Sequence, residues 1–84
     1  MNYHTMKSYV AQLLEDYRGC FTVNEIGEII SKETNVWPLD WQVQEVCNDL
    51  RDSKRVTTVD YGDNIEYFEF IPKCYQVRRA WRRA

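Results

Sequence analysis

A mainly α fold with a small β-hairpin and a basic C-terminal tail is what the residues predict. Three observations carry that expectation. Apolar side chains recur at helical spacing in three successive stretches, a Thr-x-x-Glu box stands between the first two, and a β-branched run follows the third.

The first helix is expected over about Thr5 to Tyr17, where Met6, Val10, Leu13, Leu14 and Tyr17 share one side and Lys7, Gln12, Glu15 and Asp16 the other. Gly19 is its expected stop, because glycine enters the left-handed region that ends helices. Cys20 and Phe21 read as a short extended piece. Thr22 and Glu25 then form a capping box that opens a second helix, about Val23 to Glu33, with Ile26, Ile29 and Ile30 inward and Gly27 leaving room for a close backbone. Thr34 to Pro38 breaks the pattern, since proline excludes helical conformation from the residue before it and itself fits a helix's first turn. A third helix runs from Pro38 or Leu39 to Asp52, and Leu39, Val43, Val46, Cys47 and Leu50 fall on one stripe at 100° per residue. Val56 to Tyr61, a Gly62-Asp63-Asn64 turn and Ile65 to Ile71 make the hairpin, and Pro72 closes it. Phe70 is expected in one core with Ile26, Ile30, Val43 and Leu50.

At 84 residues the chain makes one domain, residues 1–72, followed by the tail 73–84. Hydrophobic residues at 44% and charged ones at 29% suit a globular core and exclude a wholly disordered chain. No apolar run approaches the ~20 residues of a membrane helix, and no secretory pattern opens the chain, so a cytoplasmic address is expected, with no membrane partner. Cys20, Cys47 and Cys74 are an odd number without a C-x-x-C pair, which argues against a disulfide framework or a zinc site. Cys47 lies on the inner stripe as a small hydrophobe; Cys20 and Cys74 are candidates for exposure. His4 alone, near a terminus, offers no general base with a partner, so neither an enzyme, a metal nor a cofactor is expected.

The order helix, short strand, helix, helix, hairpin resembles the winged helix-turn-helix family. The resemblance covers residues 5 to 71: Phe21 to Ile30 looks like the family's second helix, Leu39 to Leu50 like its recognition helix, and Val56 to Ile71 like its wing. A longer Trp-Pro link before the third helix and the lack of a glycine just ahead of the wing depart from the family pattern. The resemblance implies a small regulatory protein that binds double-stranded DNA. Gln42, Gln44 and Asn48 would read bases, as amide side chains do. Arg51, Lys54, Arg55 and the tail's Arg78, Arg79, Arg82 and Arg83 would meet phosphates.

Charge argues for a different partner. Residues 1–72 carry six basic side chains against all thirteen acids, a net −7, whereas residues 73–84 carry five basic side chains and no acid. Glu45, Asp49 and Asp52 stand on or beside the face that would enter the groove, and like charges oppose docking on phosphates. The alternative is a protein-interaction module that offers Trp37, Trp41, Glu45, Asp49 and Asp52 to a basic protein surface, imitating the charge of DNA. A folded-back Trp41 would remove that anchor. For the tail, an arm that grips nucleic acid and a segment that packs Trp81 on the body are both open, and a homodimer is compatible with either reading.

Overall fold

The structure, a computed structural model, describes residues 2–72: three helices and a three-stranded antiparallel sheet in the order α1 (Tyr3–Tyr17), β1 (Cys20–Phe21), α2 (Val23–Thr34), α3 (Asp40–Asp52), β2 (Val56–Val59), β3 (Tyr67–Phe70). The helix α1 starts two residues earlier than its apolar pattern suggests because the Asn2 side chain caps it, accepting the Thr5 N–H at 2.8 Å. It also ends before Gly19. Arg18 already leaves helical conformation at φ 49°, and Gly19 follows at φ 139°, a value that side-chain-bearing residues rarely adopt.

The capping box of α2 forms as expected, with the Glu25 N–H donating to Thr22 Oγ1 at 3.2 Å and the Thr22 N–H to Glu25 Oε1 at 2.9 Å. Asn35 closes the helix in the left-handed conformation. Gly27 is buried, but the neighbour it faces is the Pro38 ring and no backbone; a Cβ there would lie 3.9 Å from Pro38 Cγ, in ordinary contact. The Trp-Pro link therefore folds against α2.

Leu39 does not join the inner stripe. It is the N-cap of α3 and 57% exposed, because a residue ahead of the first helical turn does not inherit the helix's angular register. Its N–H is taken up by Gln42 Oε1 at 3.1 Å. At the other end the Arg55 N–H reaches the Leu50 carbonyl and the Lys54 N–H the Arg51 carbonyl, with Lys54 at φ 65°. That pattern is a Schellman stop with lysine where glycine is usual.

Strand β3 lies between the other two: Val56 pairs with Phe70 and Thr58 with Phe68 on one side, Cys20 with Glu69 and Phe21 with Phe68 on the other. Both hairpin strands are shorter than the apolar run suggests. Asp60 Oδ1 accepts the Gly62 N–H and Asp63 Oδ1 the Ile65 N–H, so side-chain turns replace ladder bonds at the tip and leave Tyr61 and Ile65 outside the strands and exposed. The core sits where α1, α2 and the inner side of α3 meet the sheet; Val10, Leu14, Ile26, Ile30, Val46 and Leu50 are fully buried there. Its aromatic member is Phe68, also fully buried, whereas Phe70 is half-buried at its edge.

Candidate interaction face of helix α3

Helix α3 presents three different longitudinal stripes. The inner one, Val43, Val46, Cys47 and Leu50, fixes its rotation by burial. Desolvation pushes the Cys47 thiol up to about 12, with the Glu66 charge adding to the effect, so this sulfur is inert packing material.

The second stripe, Gln44, Asn48 and Arg51, faces the hairpin. Gln44 Nε2 donates to Asn48 Oδ1 at 3.0 Å and to Glu66 Oε1 at 3.4 Å, and Arg51 Nη1 meets Glu66 Oε2 at 3.2 Å. One expected base reader, Gln44, and one expected phosphate contact, Arg51, thus meet on a single hairpin carboxylate, and a second base reader, Asn48, is tied to it through Gln44. Gln42, the third, is occupied in capping Leu39. Glu66 was invisible as their partner in the sequence, because nothing local connects a residue on the hairpin to a helix fifteen or more positions away.

The third stripe is Trp41, Glu45, Asp49 and Asp52, spaced four, four and three apart, and every member is exposed. Trp41 is 60% and Trp37, on the link, 72% exposed; with Leu39 they crowd apolar surface around the start of the helix. Trp41 does not fold back into the core. Asp52 lies 3.9 Å from Arg51 Nε, and among the described residues Asp40, Glu45 and Asp49 have no ion pair. Between the start of α2, the start of α3 and the hairpin tip lies an open cleft of about 530 Å³, with Asp40, Trp41, Gln44, Ile65 and Glu66 in its wall.

Lys54 and Arg55 are exposed just beyond the helix. Cys20 is half-buried and accepts the Tyr61 O–H at 3.5 Å. Cys74, Trp81, Arg78, Arg79, Arg82 and Arg83 lie outside the described residues. Among the described residues no three His, Cys, Asp or Glu side chains converge as a metal site would, and no helix is long and apolar enough to cross a membrane.

What such a face can do is bind: an aromatic plate beside a row of carboxylates suits a surface that brings apolar and cationic groups together. No protein-family model, curated protein or solved structure matches this chain.

Proposed function

We propose that the chain is a protein-interaction module with a winged helix layout, in which α3 holds the place of the recognition helix and β2–β3 that of the wing. Its outer α3 stripe, extended by Trp37, docks on a basic protein surface. The observation that carries this reading is the exposure of Trp41 at the head of a row of carboxylates. A tryptophan left in water at the start of a helix face is the residue type that most often anchors an interface, and an acidic border selects a cationic partner.

Duplex DNA is the partner implied by the family resemblance, and the exposed Lys54 and Arg55 would serve it. Against it, Gln44, Asn48 and Arg51 would have to surrender their bonds to one another and to Glu66 before reading bases. Glu45, Asp49 and Asp52 would meanwhile be pressed toward phosphates, where charge repulsion works against the counterion release that drives such binding.

Fluorescence anisotropy with a labelled arginine-rich peptide and a labelled duplex separates the two. The peptide should bind, and Trp41→Ala should weaken it by ~2 kcal/mol or more while leaving the melting temperature nearly unchanged, as for an anchor outside the core. Equal peptide binding by the variant, or duplex binding that requires Gln44 and Asn48, would overturn the proposal.

A further inference from the structure

The acidic stripe has a cationic counterpart in the same chain. Lys73, Arg78, Arg79, Arg82 and Arg83 stand within residues 73–84 with no acid among them, while residues 2–72 carry a net −7. Among the described residues both ion pairs use Arg51, so the stripe's own carboxylates go largely unneutralised. Glu45 and Asp49, four apart on one helix face, repel each other until a cation is brought to them. Arg78 and Arg82, like Arg79 and Arg83, repeat that interval of four, and Trp81 stands among them.

The point at which the segment leaves the body favours contact within one molecule. The Ile71 N–H donates to the Arg55 carbonyl at 2.9 Å, which holds the end of β3 against the turn that follows α3, at the Asp52 end of the stripe. From there twelve residues can span up to about 40 Å. The thirteen residues of α3 measure only about 20 Å. The arginines can therefore reach the stripe's full length. A tether this short sets an effective concentration on the order of millimolar, which favours the attached segment over an untethered partner of equal affinity.

We propose that residues 73–84 dock in cis on the Trp41–Glu45–Asp49–Asp52 stripe, so that a basic partner must displace the chain's own arginines to bind. The other acidic depression near the exit, about 460 Å³ between Glu15, Arg18, Glu69, Phe70 and Pro72, has a guanidinium in its wall and is the weaker host. This inference rests on the stripe being a docking face as proposed above.

The test compares the full chain with its Arg78→Gln/Arg79→Gln/Arg82→Gln/Arg83→Gln variant. Amide shifts of Trp41, Glu45, Asp49 and Asp52 should differ between the two at low salt, independently of protein concentration, and converge when salt is added. A synthetic peptide of residues 73–84 added in trans should bind the variant about tenfold more tightly than the unaltered chain. Shift differences at Glu15 and Glu69 instead of α3, or differences that grow with protein concentration as a second copy would cause, would overturn docking in cis on this stripe. If the peptide binds both proteins equally on α3, the self-occlusion is wrong and the docking face stands. If it binds neither, both fail.

Discussion

Leu50 and Trp41 stand on opposite sides of one helix, and their environments assign them opposite roles. Leu50 has no exposed surface, so Leu50→Ala removes transfer energy and leaves a cavity; a loss of about 2–5 kcal/mol is expected by urea unfolding. A loss well under 1 kcal/mol would mean that the inner stripe is misplaced. Periodicity alone locates Val43, Val46, Cys47 and Leu50, because 3.6 residues per turn is a local property. It fails at Leu39, one position before the helix, where the backbone is extended and the side chain turns to solvent. It fails differently at Phe70. Strand alternation puts Phe68 and Phe70 on the same face, and only the sheet order decides between them: Phe68 has a strand on both sides, opposite Phe21 and Thr58, whereas Phe70 pairs with Val56 alone.

Helices α1 and α2 are joined by a polar clamp that no local signal announces. The Tyr9 and Tyr17 hydroxyls both donate to the Glu33 carboxylate, Tyr17 at 2.9 Å, across 24 and 16 positions of chain. Those bonds hold the Glu33 pKa below its ordinary value. They raise Tyr17 above its ordinary value and push Tyr9 up to about 12. A lowered carboxylate pKa adds stability that is present above the unfolded value and disappears as pH falls through the folded one. Raised phenol pKa values add stability that is present below the unfolded value of 10.0 and disappears as pH climbs toward about 12. Tyr9→Phe/Tyr17→Phe should therefore flatten both the acid and the alkaline shoulders of unfolding free energy against pH, followed by chemical denaturation. An unchanged profile would show that the clamp contributes nothing. The α2 capping box, by contrast, was legible from Thr22 and Glu25 because its partners lie three residues apart. The Schellman stop of α3 was not, since lysine is a rare occupant of its left-handed position.

Across the molecule, the sequence separates an acidic body from a basic segment, and the structure gives the body's charge an address. Its six basic side chains are outnumbered by thirteen acids, and the most orderly row of those acids lies beside the most exposed aromatic surface of α3. The count was readable beforehand; the pairing of Arg51 with Glu66, which takes a cation away from α3's outward surface, depended on how the hairpin packs. Long-range fields of this kind govern which partner approaches. Charge reversal by Glu45→Lys/Asp49→Lys alters that field without touching Val43, Val46 or Leu50, so the fold should persist. Binding of the labelled arginine-rich peptide and the labelled duplex to this variant and to the unaltered chain, compared at one low salt concentration, is the most direct measurement. A protein-docking α3 predicts peptide affinity lowered about tenfold or more and duplex affinity raised; unchanged peptide affinity, or a duplex affinity that falls, would contradict it.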